Sequence, residues 1–180
     1  MNKALILIDF QNEWIDKDSD YYVGNIDDVL ERNNKLIEYC RDKGYKIIFT
    51  QHVESESEDA FAPGSDNIKF IPEIKKQPQD ILITKNKISP YYKTAMEDEL
   101  RGIEEIIVTG ILTNLCVRSM IQDAYDRDLD ITVIKNCCVA MDDEIQNFTF
   151  KDLKETREKI NFVNLDEFIS NLYEQAITKN

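Results

Sequence analysis

The run from Glu105 to Ile134, EIIVTGILTNLCVRSMIQDAYDRDLDITVI, decides the fold. It opens on the β-prone segment Glu105–Thr109, breaks at Gly110, and resumes with Val117, Met120, Ile121, Ala124 and Tyr125 at the spacing of one helical face. Thr113 or Asn114 stands where a side chain caps a helix N-terminus. A second short apolar run, Asp130–Ile134, follows the helix. Further runs of the same kind lie at Ala4–Ile8, Lys46–Thr50 and Ile81–Thr84, with a weaker one at Ile160–Val163. They are short and do not alternate apolar with polar residues, which is the pattern of parallel strands buried on both faces. Between them, Val29, Leu36, Ile37 and Cys40 mark a helix that Gly44 stops, with Arg41 and Lys43 in its last turn; Gln146–Glu158 and Asp166–Gln175 read as two more. Strands alternating with helices predict a doubly wound α/β sheet, whose ligands bind beyond the carboxyl ends of the strands.

The 180 residues form one domain, 1–180, with no repeat, linker or low-complexity stretch, and the 42% hydrophobic content supports an ordinary core. Lys and Arg number 22 against 35 Asp and Glu, a net charge of −13. That sign argues against nucleic acid and anionic membranes as partners. The first apolar run is too short for a signal sequence or a membrane span, so a cytoplasmic location is expected. Cys40, Cys116, Cys137 and Cys138 show no CxxC spacing and are expected as free thiols in a reducing compartment.

Three reactive residue types sit at strand ends: Asp9, Lys85 and Cys116. A thiol in the first turn of a helix feels the positive end of the helix dipole, and a nearby ammonium adds to that effect, so the Cys116 pKa is expected to fall toward neutrality. A carboxylate can take the thiol proton and return it to a leaving amine, while the ammonium offsets their combined negative charge. The three therefore suit nucleophilic hydrolysis. Lys87 and Lys93 read as surface lysines, Cys40, Cys137 and Cys138 as packing residues, and Glu54–Asp59 as a solvated acidic loop.

Four segments carry a resemblance: Leu7–Trp14; Ala62–Ser65 with Ile71–Ile74; Ile83–Lys85 followed by Ser89–Thr94; and Val108–Val117. Together they resemble the isochorismatase-like cysteine hydrolases, which include nicotinamidases and N-carbamoylsarcosine amidase. The resemblance implies a three-layer α/β/α fold with a mostly parallel six-stranded sheet. It places the catalytic triad on Asp9, Lys85 and Cys116, a cis peptide at Ile111–Leu112, and the oxyanion-binding amides on Leu112 and Cys116. It implies attack of Cys116 on an amide or carbamoyl carbon, a thioester intermediate, and no cofactor. Phe10, Trp14, Tyr91 and Ile111 are the residues it suggests for the substrate pocket; Phe61 is a further aromatic candidate, equally well read as loop packing. A small-molecule substrate and assembly into a homodimer or larger homo-oligomer are also implied.

Two departures matter. Metal-containing nicotinamidases carry an Asp-x-His element after the second strand and another His downstream; here the segment is Thr50-Gln51-His52-Val53, and His52 is the only histidine. No metal site is therefore expected, and His52 reads as a hydrogen-bonded loop residue. Pro90-Tyr91 replaces the Ala-Phe typical of the family after Ser89. Two other readings compete: a metal-dependent nicotinamidase, and a non-catalytic ligand-binding or signalling module on the same sheet. Receiver modules need paired acids after the first strand, whereas here Phe10 follows Asp9.

Overall fold

The computed structural model describes residues 2–170. Six strands, β1 (Lys3–Ile8), β2 (Lys46–His52), β3 (Ile81–Lys85), β4 (Glu105–Ile111), β5 (Asp130–Val139) and β6 (Ile160–Val163), form one sheet in the order β3-β2-β1-β4-β5-β6. Every pairing is parallel. All six predicted runs are strands, and four continue beyond their apolar core at the carboxyl end. Pairing, not hydrophobicity, carries them on: Gln51 and His52 stand beside Thr84 and Lys85, and Gly110 beside Ile8.

The helices are α1 (Asp27–Asp42), α2 (Met96–Glu99), α3 (Arg118–Tyr125) and α4 (Asp143–Thr156). Leu5, Leu7, Phe49 and Ile107 face a layer containing Leu36 and Ile37 of α1. The alternate residues Ala4, Ile6, Ile8 and Val108 face Met120 and Ile121 of α3 and Leu153 of α4. Both faces are thus covered, which is why the strands are apolar throughout. Each fully buried Leu or Ile adds about 1.5–3 kcal/mol of transfer free energy. The expected helix Asp166–Gln175 begins at 165 and is described to 170, where Phe168 joins the α1 layer; its remainder lies outside the described residues.

Between β4 and β5 the register passes from Val108–Val133 to Gly110–Cys138, so β5 bulges. Side chains of α1 take up the freed carbonyls: Arg32 Nε donates to Asn136 O at 2.6 Å and Asn33 Nδ2 to Cys137 O at 3.0 Å. After the bulge, Cys137 packs into the α1 layer and Cys138 into the α3 layer, each a free buried thiol.

The sheet order places the switch point between β1 and β4. Gly110 makes their close approach possible. At φ +138° its backbone is outside the range of L side chains, and a Cβ there would lie 2.4 Å from Ile8 O.

Neither Thr113 nor Asn114 caps the helix after β4. The chain instead makes a π-helical turn over Thr113–Val117, in which Leu112 O accepts from Val117 N at 3.2 Å. The Thr113 hydroxyl donates to Gln146 Oε1 on α4 at 2.6 Å. Its side chain is committed to a neighbouring helix rather than to its own amides, and the widened turn delivers Cys116 to the carboxyl end of the sheet.

Candidate active site

Asp9 follows β1 with φ 53°, a left-handed conformation. Its surroundings hold it there. The Asp9 amide donates to Thr50 Oγ1 at 3.1 Å, the Thr50 hydroxyl donates to Asp9 Oδ1 at 2.6 Å, and the Asp9 carbonyl accepts from Gln11 N at 2.8 Å and Trp14 Nε1 at 2.7 Å. Lys85, the last residue of β3, places Nζ 2.7 Å from Asp9 Oδ2, and both side chains are fully buried. The same Nζ lies 3.3 Å from Cys116 Sγ, 3.1 Å from His52 Nδ1 and 3.3 Å from Lys87 O. Three strand ends on the two sides of the switch point therefore bring carboxylate, ammonium and thiol together.

The electrostatics differ from the expectation for a helix-start thiol. Burial, and next the Asp9 carboxylate, push the Cys116 thiol up to about 12, against the opposing pull of Lys85. Burial also works against the Lys85 charge, but Asp9 and then Cys116 outweigh it and hold the Lys85 pKa above its ordinary value. The resting site is an Asp9–Lys85 ion pair beside a protonated thiol.

A cavity of about 960 Å³ opens over Cys116. Trp14, Tyr21 and Phe61 form one wall, edge to face at centroid distances of 6.0, 5.0 and 5.6 Å. Glu13 is buried beneath that wall, accepting from Ser19 Oγ at 2.5 Å and from the Phe61 amide at 3.0 Å. Trp14 and Phe61 thus line the cavity, whereas three other residues expected there do not. The reversal at Asp9 turns Phe10 into the α1-side core, and Ile111 is fully buried in the same layer. Tyr91 packs beneath the Arg127 guanidinium, 4.1 Å from its ring centroid, over a separate surface hollow. The Ser89 hydroxyl causes this: it accepts from the Tyr91 amide at 3.2 Å and donates to Asp123 Oδ2 on α3 at 2.6 Å, drawing the loop away from the cavity. The Ile111–Leu112 peptide is cis.

His52 is not a loop residue. It ends β2 directly beside Lys85, and its side chain is mostly buried at the cavity floor. The strand-end rule that finds Asp9 and Lys85 would have found it had the β2 run been carried past Thr50. Glu54 and Glu56, expected as plain solvated acids, are exposed but also line the cavity, and Glu54 Oε1 lies 2.7 Å from His52 Nε2.

Nothing in this arrangement suits a transition metal. Among the described residues no three His, Cys, Asp or Glu side chains converge where they could hold a metal ion. Both ring nitrogens of His52 are already engaged, with Glu54 and Lys85.

A parallel α/β sheet with cysteine, aspartate and lysine gathered at its switch point defines a class of nucleophilic hydrolase folds. Residues 3–160 match the isochorismatase domain, and the chain belongs to that family of hydrolases. It is 28% identical over 154 residues to the isochorismatase family protein YrdC of Bacillus subtilis, covering 83% of this chain and 80% of that one. Nicotinamidase 3 of Arabidopsis thaliana is 24% identical over 165 residues, with 83% and 79% of the two chains covered. The fold superimposes on an isochorismatase-like hydrolase from Alkaliphilus metalliredigens with a TM-score of 0.86 at 19% identity, over 96% of this chain and all of the other. No helix among the described residues is long and apolar enough to cross a membrane.

Proposed function

We propose that this protein is a cysteine amidohydrolase acting on a small amide or carbamoyl compound. One observation carries the reading: a single buried ammonium, Lys85 Nζ, touches both Asp9 Oδ2 at 2.7 Å and Cys116 Sγ at 3.3 Å. Because the resting thiol is protonated, the reaction begins with proton transfer from Cys116 to Asp9, timed with attack of sulfur on the carbonyl carbon. The negative charge passes from the carboxylate through the sulfur to the substrate oxygen, which the amides of Leu112 and Cys116 receive. Asp9 returns the proton to the leaving nitrogen, the C–N bond breaks, and a thioester remains on Cys116. Asp9 then takes a proton from water, the hydroxide attacks the thioester, the C–S bond breaks to release the acid, and Asp9 passes its proton to the sulfur to restore the thiol. Lys85 stays protonated throughout and offsets the charge on whichever partner is anionic.

The likeness to a nicotinamidase supports an amide substrate. The cavity supports a limit on its charge. Asp16, Asp18, Asp20, Glu54, Glu56 and Asp59 line it against Lys87, the one cation among the described lining residues, so a neutral or cationic substrate enters more readily than an anionic one. The test is a panel of primary amides, carbamoyl compounds and nicotinamide, read by ammonia release and by mass spectrometry of acid-quenched protein. Turnover with an acyl adduct on Cys116 is expected. Turnover that persists in Cys116→Ala would overturn the proposal.

A further inference from the structure

Lys85 has more acceptors than it has protons to give. Its ammonium carries three N–H bonds, and four acceptors surround it: Asp9 Oδ2, His52 Nδ1, Cys116 Sγ and Lys87 O. Asp9 and Cys116 take part in the chemistry, whereas His52 and the Lys87 carbonyl do not react and can only decide where the nitrogen sits. His52 is the more elaborately held of these two. An ammonium can only donate, so its contact with Nδ1 makes that nitrogen the acceptor and puts the proton on Nε2; Glu54 Oε1, 2.7 Å from Nε2, accepts the hydrogen bond from Nε2–H and selects the tautomer. The His52 backbone is clamped by one side chain, with His52 N donating to Gln11 Oε1 at 2.7 Å and Gln11 Nε2 donating to His52 O at 2.9 Å. Phe61 meets the imidazole edge to face at a centroid distance of 5.2 Å.

We propose that His52, with its tautomer fixed by Glu54 and its backbone fixed by Gln11, is a positioning residue that holds Lys85 Nζ between Asp9 and Cys116. The inference deepens the amidohydrolase reading and rests on the same site. A carboxylate orients an imidazole, and the imidazole orients a cation, as carboxylates hydrogen-bonded to metal-bound histidines do; here the cation is the protein's own lysine. What matters is where the acceptors lie, not their number: the Lys85 side chain is sealed from water, so without His52 the ammonium would still find three partners, but with no pull from the β2 side its nitrogen would shift toward them. The charged and titratable groups facing His52 are Lys85 from β3 and Glu54 from the loop after β2, with Asp9 and Cys116 one step further across Lys85.

The test compares His52→Phe, which keeps a flat ring against Phe61 but offers Lys85 no acceptor, with His52→Gln, which can present an amide oxygen. Two readouts are taken for each: amide turnover, and the pH profile of Cys116 alkylation by iodoacetamide, located by peptide mass spectrometry. The second needs no substrate, so it reports on Lys85 placement even if no amide in the panel is turned over. In His52→Phe the alkylation profile is expected to move to higher pH and kcat to fall about 10- to 100-fold, with KM nearly unchanged. His52→Gln is expected to recover most of both. Glu54→Leu is expected to shift the profile in the same direction by a smaller amount. A wild-type alkylation profile in folded His52→Phe would overturn the proposal. So would a change confined to KM, which would make His52 a substrate contact instead. Should His52→Phe fail to fold, the comparison of Glu54→Leu with wild type decides, and an unchanged profile there overturns it.

Discussion

Replacing Lys85 by methionine tests how the site divides stability from chemistry. The ammonium lies 2.7 Å from the Asp9 carboxylate with neither side chain exposed, so Lys85→Met leaves a buried charge without its partner. Breaking a buried pair from one side costs about 3–5 kcal/mol, which for a chain of this size lowers Tm by roughly 6–20 °C. The effect on rate has a separate origin. With Nζ 3.3 Å from Sγ, the Coulomb energy between ammonium and thiolate is about 5 kcal/mol at an effective dielectric of 20, an upper bound of between 1000- and 10,000-fold in rate. Asp9 shares the cation, so a loss of about 1000-fold in kcat/KM is expected. The double variant Asp9→Asn/Lys85→Met separates the two effects. It leaves no unpaired charge, so Tm should recover by more than half relative to Lys85→Met, while activity stays lost because the base is gone as well. Thermal melts and ammonia release on the four proteins measure both. Additive losses in Tm across the two substitutions would refute a mutually compensating buried pair, and full activity in Lys85→Met would refute the role given to the cation.

Gly110→Ala is expected to destabilise the protein by about 2–6 kcal/mol, because the new Cβ would meet Ile8 O at 2.4 Å and force a backbone at φ +138° that alanine avoids; urea unfolding measures it. Alkaline pH should destabilise the fold. Burial holds the Cys116 and Cys137 thiols up to about 12, whereas in the unfolded chain they ionise near 8.5; this contribution is intact below about pH 8.5 and is lost as pH rises toward 12. Urea midpoints under reducing conditions should therefore fall between pH 9 and pH 11, and a flat profile contradicts that reading. For matched amides differing only in charge, kcat/KM of the cationic member should exceed that of the anionic one and decline with added salt, while the neutral member stays level; steady-state assays over a range of NaCl concentrations decide it.

The sequence made the scaffold legible because each strand was a contiguous apolar run, and a parallel sheet puts the residue after such a run at the ligand-binding edge. Asp9, Lys85 and Cys116 could be named on that basis, and the sheet brings the three together. Side-chain direction was not legible in the same way. Phe10 was sent into the core by the left-handed turn at Asp9, and Tyr91 was drawn under Arg127 by the bond between Ser89 and Asp123, a contact spanning 34 residues. His52 reads as a loop residue in the sequence because its place is set by the register of β2 against β3, where it stands beside Lys85.

The charge state of Cys116 was the furthest from local reading. Its position at the start of a helical turn favours a thiolate, and Lys85 favours it too, yet burial and the neighbouring carboxylate prevail and keep the proton on sulfur. Lys85 cannot activate the thiol outright while Asp9 competes for it at 2.7 Å. In the proposed mechanism, activation waits until Asp9 takes the proton and gives up its own negative charge. From that moment the ammonium faces a neutral acid and an anionic sulfur, and the same contact that stabilised the resting carboxylate stabilises the nucleophile. On that proposal Lys85 works by staying in place while the negative charge moves past it, so small displacements of its nitrogen should cost more in rate than in stability.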